Sequence, residues 1–292
     1  MRESGTGHGA TPDPVRPPVA LTIAGSDSGG GAGIQADRQA MTEYGVFGAT
    51  AITAVTAQHT RGVESSFVLP VAEIDAQIRA VLEDFDVRAV KTGMLATADV
   101  VELVADHARS LEAPLVVDPV MVATSGDRLL DVDAETAYER LFEAATLVTP
   151  NADEAAVLTG IDVDDVETAR RAGETLLEFG VDAALVTGGH LDAADGDDAD
   201  ESDERTVRDL LVTPDRTLTF AHPRIDTDAT HGSGCTLSAA ITARLALGYG
   251  LEAAVDAATD FVERAIRRHY DVGRGPGAVN PAAGRLEVVE RR

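Results

Sequence analysis

The stretch ATHGSGCTLSAA, residues 229–240, passes from a glycine-bounded turn directly into an apolar pattern with helical spacing. Glycines allow a tight turn and leave room for consecutive backbone N–H groups to point at one spot. The helix predicted over residues 236–247 adds unpaired N–H groups and the positive end of its dipole. The stretch therefore predicts a cradle for an anion such as a phosphoryl group, with Cys235 at its rim. A plain loop-to-helix junction is the alternative.

The composition restricts the class of protein. A chain of 292 residues can bury a sizeable core, as one large α/β domain or two smaller ones. A single cysteine excludes an intramolecular disulfide framework and favours a reducing compartment. No apolar run is long enough to cross a bilayer, and the polar start lacks the apolar segment of a signal peptide. We therefore expect a cytoplasmic protein, without membrane partners, that begins with a disordered leader over residues 1–18.

The charge points to the solvent rather than to a substrate. The formal net charge is −26, which argues against a nucleic-acid partner because phosphate backbones attract Lys and Arg. The basic residues are almost all arginines, and Lys91 is the one lysine. This acidic composition resembles that of proteins from salt-loving organisms, whose surface charges are screened by salt. Positive potential at a site for an anionic substrate must then come from backbone dipoles and a few arginines.

Strand-like and helical patterns alternate along the chain. Strands are predicted at residues 19–24, 48–60, 67–71, 89–94, 115–120, 147–151 and 183–189, with a hairpin at 207–212 and 217–220. Helices are predicted from residue 34, over 74–85, 99–111 and 134–145, after residue 151, and over 164–179, 236–247 and 252–270. The alternation predicts one α/β domain with a mainly parallel central sheet and helices on both faces. Residues 192–204 are small and acidic, and we expect a solvated loop insertion there.

Two strand ends and one glycine loop carry candidate site residues. Gln58 ends the second predicted strand, and its amide can donate to and accept from a heterocycle, although an ordinary polar strand end is the alternative. Asp118 lies near the carboxyl end of LVVDPV, where ligands gather in open α/β sheets. Residues 25–33, GSDSGGGAG, join a strand to a helix. Their spacing does not fit a dinucleotide-binding loop well.

Six segments carry a family resemblance. They read ALTIAGSDSGGGAGIQADRQA, AITAVTAQHT, VKTGMLA, VVDPVM, VTPNADEA and THGSGCTLSAAI. Their order resembles that of the hydroxymethylpyrimidine/phosphomethylpyrimidine kinases of thiamine biosynthesis, in the ribokinase-like superfamily. The resemblance implies a ribokinase-like kinase domain over residues 19–280, followed by a diverging tail at 281–292. It also implies ATP-dependent phosphorylation of 4-amino-5-hydroxymethyl-2-methylpyrimidine and of its monophosphate, and a homodimer.

The same resemblance implies the catalytic residues. Gly232, Ser233 and Gly234 match the anion hole around the transferring phosphoryl group. Cys235 stands where related sugar kinases place an aspartate base. A thiol at a helix N-terminus has a lowered pKa, so we expect Cys235 to accept the proton of a primary alcohol. The alternative is that Cys235 is a small buried apolar side chain.

The resemblance further assigns substrate and cofactor contacts. The pyrimidine is expected against Gly25, Asp37, Gln58 and Met94, and ATP against Asn151, Thr187 and Gly189. Asp37 could instead be a partner of the helix dipole, and Met94 a core residue. Glu154 completes an N-x-x-E pattern that organises Mg²⁺, often through water, with Asp118 as its electrostatic partner. For Glu154, a first-turn helix carboxylate is the alternative.

One position departs from the family pattern. Bacterial members usually have K-G-G-H where this chain has T-G-G-H, so Thr187 replaces a lysine that approaches the nucleotide phosphates. Related pyridoxal kinases carry threonine at a similar place. A pyridoxal or pyridoxine kinase therefore stays an alternative, as does a non-catalytic protein of this fold that senses the pyrimidine.

Overall fold

The computed structural model describes residues 13–121, 129–130, 137–188 and 206–283. Its strands are β1 Val19–Asp27, β2 Phe47–His59, β3 Gly62–Val68, β4 Val87–Thr92, β5 Leu115–Val117, β6 Leu147–Val148, β7 Ala184–Val186, β8 Thr206–Val212 and β9 Thr217–Pro223. They form one sheet in the order β3-β2-β1-β4-β5-β6-β7-β8-β9. The strands from β2 to β7 in that order run parallel, whereas β3, β8 and β9 pair antiparallel with their neighbours. The predicted α/β class with a mainly parallel sheet is confirmed.

Helices cover both faces of the sheet. They are α1 Gly33–Glu43, α2 Val71–Asp84, α3 Ala98–Ala108, α4 Tyr138–Phe142, α5 Ala152–Thr159, α6 Val166–Glu178, α7 Ser233–Ala246 and α8 Leu251–Arg267. Leu21 and Val117 pack into a core with α2, α3 and α4. Their chain neighbours Ala20 and Val116 pack into a second core with α1, α7 and α8. This alternation follows from the two-residue period of a strand, which directs successive side chains to opposite faces.

The third strand differs from its prediction. It was expected at residues 67–71, but β3 spans Gly62–Val68 and forms an antiparallel hairpin with β2. Its sequence GVESSFV is largely polar, and most of its residues are exposed. An edge strand lacks the apolar alternation on which the prediction depended, because neither of its faces is fully buried.

Several predictions fall outside the described residues. The acidic insertion at 192–204 lies there, as do residues 1–12 of the leader, 284–292 of the tail and 134–136 of the helix predicted at 134–145. Within the described part of the chain, no helix combines the length and the apolar character needed to span a bilayer.

Helix α7 determines where the site lies. It is buried along most of its length and packs against α1, α8 and β4. The same packing brings its N-terminus to the edge of the sheet at which β1, β4, β5, β6 and β7 end. In a parallel sheet this edge collects the loops that bind ligands.

Candidate functional site

A cavity of about 310 Å³ opens at this edge of the sheet. It brings together most of the residues that were predicted for the site, which are Gly25, Gln58, Met94, Asp118, Asn151, Glu154, Thr187, Gly232, Ser233, Gly234 and Cys235. Asp37 does not line the cavity. Gly189 lies outside the described residues. Residues that are up to 210 positions apart in the chain (25 and 235) therefore line one cavity.

The segment predicted as an anion cradle begins α7. Gly232 is the N-cap of this helix with φ +82°, and no side chain caps the first turn. The Ser233 N–H donates a hydrogen bond to the Thr230 carbonyl at 3.0 Å. Gly234 is exposed, and open space surrounds the position that a Cβ would occupy there. A helix start without a side-chain cap, open to a cavity, suits an anionic ligand.

The two glycine-rich loops touch each other. A Cβ on Gly232 would lie 1.9 Å from the Gly31 carbonyl oxygen, and a Cβ on Gly31 would lie 2.7 Å from His231 Cδ2. Such distances are far below van der Waals contact, so this approach requires glycine on both sides. The loop after β1 and the start of α7 therefore form one continuous surface.

Asp27 and His231 connect these loops, and neither was predicted for the site. Asp27 is buried and accepts hydrogen bonds from the N–H groups of Gly29, Gly31 and Ala32. His231 Nε2 lies 3.1 Å from Asp27 Oδ2. Burial alone would raise the pKa of Asp27, but the contact with His231 and the N–H donors outweigh it and lower the pKa. Asp27 therefore fixes the shape of the first loop as a carboxylate.

The predicted pyrimidine contacts lie beside this pair. Gln58 Nε2 is 3.4 Å from His231 Nε2. The Met94 sulfur lies 3.0 Å from the position that a Cβ on Gly25 would take, so Met94 packs directly over this glycine. An amide edge next to an apolar thioether suits a small heteroaromatic ring.

Asp37 lies beneath the cavity rather than in it, which corrects its prediction as a pyrimidine contact. Its Oδ1 is 2.7 Å from Lys91 Nζ, and its Oδ2 accepts the Thr22 hydroxyl at 2.6 Å. Lys91 Nζ also lies 3.7 Å from Asp118 Oδ2, which accepts the Ser238 hydroxyl at 3.0 Å. Burial alone would lower the pKa of Lys91, but the charges of Asp37 and Asp118 outweigh it and raise this pKa. A buried ammonium group therefore lies between two carboxylates.

The environment of Cys235 contradicts the expected lowering of its pKa. The residue reaches the cavity on one side and is enclosed by protein on the others. Burial raises the pKa of the thiol to about 12, although the charge of Lys91 and a hydrogen bond from the Gly33 N–H act in the opposite direction. The helix N-terminus does not compensate for this desolvation. At neutral pH the ligand-free site holds a protonated thiol.

Glu154 and Asp118 place two buried carboxyl groups on the cavity wall. Glu154 forms a capping box with Asn151: each side chain accepts the other residue's N–H, at 2.9 and 3.0 Å. Burial and the charge of Asp118 raise the pKa of Glu154 to about 8. Within the described chain, no group of three or more His, Cys, Asp or Glu side chains could hold a metal ion. A cation here would need further oxygen ligands from water or substrate.

The wall beyond Asn151 is formed by β7, β8 and β9. Thr187 forms a bridge with Asn151, and its N–H donates to the Pro150 carbonyl at 2.9 Å. The Gly188 N–H donates to Asp209 Oδ1 at 2.8 Å, and Asp209 Oδ2 lies 3.5 Å from His222 Nε2. The hairpin was predicted, but its place in the cavity depends on the pairing of β8 with β7, for which the sequence carries no local signal.

Comparison with known proteins identifies the family of the chain. A model of the family described as phosphomethylpyrimidine kinase matches residues 27–280. The hydroxymethylpyrimidine/phosphomethylpyrimidine kinase of Streptomyces coelicolor is 47% identical over 91% of this chain and 95% of the relative.

Two solved structures are also similar. The phosphomethylpyrimidine kinase of Clostridium difficile 630 is 38% identical with a TM-score of 0.72, over 85% of this chain and 99% of that chain. A pyridoxal kinase of Bacillus subtilis in complex with ADP is 34% identical with a TM-score of 0.82, over 92% of this chain and 98% of that chain. The resemblance that the six segments carry is confirmed, and the chain belongs to the phosphomethylpyrimidine kinase family of ribokinase-like phosphotransferases.

Proposed function

We propose that the protein uses ATP to phosphorylate 4-amino-5-hydroxymethyl-2-methylpyrimidine and then its monophosphate to the diphosphate. One observation carries the proposal: residues 232–235 line the same cavity as Gln58 and Met94. A ring held against Gln58 and Met94 can direct its hydroxymethyl group at a phosphoryl group in the cradle. The 47% identity to a kinase named for this substrate supports the same assignment.

In this mechanism the chain mainly positions the reactants and stabilises charge. The amides at the start of α7 donate to the equatorial oxygens of the transferring phosphoryl group, where charge accumulates. Once its thiol has released its own proton to solvent, Cys235 accepts the alcohol proton as the oxygen attacks the γ-phosphorus of ATP and ADP leaves. Because burial raises the pKa of its thiol to about 12, this role depends on added positive charge when the substrates bind. The charge of Lys91 already acts on the thiol in the structure, so the added charge would have to come from the bound substrates and their cation.

We propose Glu154 and Asp118 as the residues that hold Mg²⁺, with Glu154 acting through water because backbone N–H groups already contact both of its oxygens. The ion would neutralise the charge of the nucleotide phosphates. Two buried carboxyl groups beside a cavity fit a hard divalent cation. The test is a Mg²⁺ titration of turnover, in which Glu154→Gln should need at least about tenfold more Mg²⁺ for half-maximal rate. The exposed neighbour Asp153 provides the control, and Asp153→Asn should titrate like the wild type.

A pyridoxal or pyridoxine kinase is the second candidate. Thr187 on the cavity wall and the TM-score of 0.82 to a pyridoxal kinase favour it. The higher identity to the pyrimidine kinase favours the first assignment. Both substrates present a hydroxymethyl group on a heteroaromatic ring, so the cradle serves either one.

The deciding experiment is a coupled ADP-release assay on the purified protein at low and high salt. We expect turnover with the hydroxymethylpyrimidine and with its monophosphate. Turnover with pyridoxal alone would replace the proposal by the second candidate. Tight pyrimidine binding without ADP release would indicate a non-catalytic sensor. Activity that rises with salt would support the proposed salt-adapted surface, for which the charge of −26 argues.

We also propose a cytoplasmic homodimer that does not bind nucleic acid. Cys235 is free, as a reducing compartment would keep it.

The proposed dimer contact lies on the edge hairpin. Val55 and Phe67 form a cross-strand pair on β2 and β3, and they are 47% and 67% exposed. An apolar pair on an exposed edge hairpin suits association with a second copy. Light scattering should give twice the chain mass for the wild type and the mass of one chain for Phe67→Glu. A wild type with the mass of one chain would contradict the dimer.

A further inference from the structure

One part of the cavity wall has no role in the chemistry proposed so far. Val207 and Asp209 on β8, His222 on β9, and Val262 and Ile266 on α8 form it. Val262 and Ile266 are four residues apart and therefore share one face of their helix. This part of the wall combines an apolar surface with one imidazole and one carboxyl group.

The hairpin geometry fixes the imidazole in this wall. His222 is paired directly with Val207 in the register of β8 and β9. Asp209 is two residues from Val207, so all three side chains lie on the same face of the hairpin. Asp209 is only 5% exposed, and its Oδ1 is held by the Gly188 N–H at 2.8 Å. Its other oxygen, 3.5 Å from His222 Nε2, is therefore in a position to orient the ring.

The charges on the cavity wall make this imidazole significant. Among the described lining residues, the carboxyl groups are those of Asp27, Asp118, Glu154 and Asp209. His222 and His231 are the side chains in the described lining that can carry a positive charge, since no Lys or Arg belongs to it. His231 is already engaged with Asp27 beside the pyrimidine contacts. A polyanionic nucleotide that enters a wall of carboxylates needs a cation, and His222 offers one on the side of β8 and α8.

The groups that face His222 favour its charged form. Burial alone would lower the pKa of the imidazole, but Asp209 from β8 and Glu263 from α8 outweigh it and raise the pKa. The side chain is still 20% exposed, toward the cavity that it lines. The positive charge of the oriented ring therefore faces a ligand in the cavity.

We propose that His222 binds the nucleotide and that Asp209 is the positioning residue that orients it, with Val262 and Ile266 as the apolar surface against the base. The proposal rests on the proposed function only in that a nucleotide is the cosubstrate. The hairpin β8–β9 then contributes to the affinity for the nucleotide, together with the cradle. Loss of the imidazole then affects nucleotide binding and leaves the pyrimidine contacts unchanged.

The test measures ADP binding by calorimetry for the wild type, His222→Gln and Asp209→Asn at pH 6.5 and 8.5. At pH 6.5 we expect about tenfold weaker binding for His222→Gln, because the variant lacks the positive charge that faces the nucleotide phosphates. The imidazolium is lost as pH rises through its raised pKa. The difference in ADP affinity between the wild type and His222→Gln should therefore be smaller at pH 8.5. ADP's own phosphate titrates in this range, and the comparison at each pH removes that contribution. Asp209→Asn should show a smaller loss in the same direction.

His107 provides the matched control, because its Nε2 lies 2.8 Å from Asp75 in a His–Asp pair that does not line the cavity. His107→Gln should bind ADP like the wild type. In steady state, His222→Gln should raise the KM for ATP, with kcat and the KM for the pyrimidine within about twofold. His222→Lys keeps a positive charge at this position, so it should bind ADP more tightly than His222→Gln at pH 8.5. If the glutamine variant does not fold, the lysine variant is compared with the wild type instead.

Equal ADP affinity of the wild type and His222→Gln at both pH values would overturn the inference. It would leave the proposed kinase function intact. A wild type that binds no ADP would overturn both, so the two failures are distinguishable. An increase in the KM for the pyrimidine as large as that in the KM for ATP would also overturn the inference, because it would indicate a general distortion of the cavity.

Discussion

Lys91 Nζ lies 2.7 Å from Asp37 Oδ1, and neither side chain is exposed to solvent. Lys91 is the one lysine of a chain that otherwise uses arginine. The ammonium group lies directly behind the cavity wall, because a Cβ on the lining residue Gly93 would be 3.2 Å from it. A compact ammonium group fits this position better than a planar guanidinium with five donors. The pair joins α1 to β4 and places positive charge under the site.

We expect Lys91→Met to lower the free energy of unfolding by about 3–5 kcal/mol. Removal of one partner leaves the Asp37 carboxylate buried without compensation, which costs far more than the pair contributes as a whole. Urea unfolding measures the loss. The control is Arg267→Met, which removes an exposed i,i+4 pair with Glu263 and should cost at most about 1 kcal/mol. Similar losses for the two variants would contradict a charged buried pair.

The sequence predicts this part of the molecule only in pieces. Lys91 falls in the strand predicted at residues 89–94, and Asp37 in the helix predicted from residue 34. Nothing in either segment indicates that they meet across 54 positions (37 to 91). The cradle at residues 232–235 could be predicted because its physics is local: glycines, a turn and a helix start are contiguous in the chain. Contacts that depend on packing between elements, such as Lys91 with Asp37, have no such local signal.

The hairpin β8–β9 shows the same limit at the level of the sheet. Its two strands were predicted as a hairpin around Pro214 and Asp215. Asp209 and His222 were not predicted for the site, because only the antiparallel pairing of β8 with β7 brings them to the cavity. The pKa of Cys235 could not be predicted either. A helix N-terminus is visible in the sequence, whereas the desolvation that outweighs it depends on the residues packed around the thiol.

We expect Cys235→Ala to lower kcat by at least about 10²-fold, the usual scale for the loss of an acid–base group. The pyrimidine and ATP should still bind, since Gln58, Met94 and the cradle amides are unchanged. Steady-state assays with both substrates measure the effect, and ADP calorimetry checks that the site is intact. Thr242→Ala provides a control two turns further along α7, where the hydroxyl donates to the Ser238 carbonyl and does not line the cavity, and it should retain most of the activity. Near-normal turnover of Cys235→Ala would remove the residue from the role of proton acceptor.

The same thiol should react slowly with alkylating reagents. Because burial raises its pKa to about 12, few molecules carry a thiolate at pH 7.5 in the ligand-free protein. We expect iodoacetamide to modify Cys235 at least about tenfold more slowly than a free cysteine peptide, even though a higher pKa makes each thiolate more nucleophilic. The rate should increase with pH up to the limit of stability, and unfolding in urea should abolish the difference. As Cys235 is the single cysteine, mass spectrometry reads the rate directly. A rate equal to that of the peptide would indicate a thiolate in the folded site.

The contact between the two glycine loops can be tested on α7, which offers a matched pair of glycines. Gly232 at its start and Gly248 beyond its end have φ values of +82° and +85°. Alanine at either position costs about 1–2 kcal/mol for the left-handed conformation. Only at Gly232 would the new Cβ also meet a backbone atom, the Gly31 oxygen at 1.9 Å, whereas nothing lies within 4 Å at Gly248. Gly232→Ala must therefore separate the loops by about 1 Å or more, a displacement that can cost about 10²-fold in rate. We expect kcat/KM to fall by that factor for Gly232→Ala and to stay within about threefold for Gly248→Ala, while thermal unfolding shows a loss for both. Equal activity of the two variants would mean that the loops do not need to touch for phosphoryl transfer.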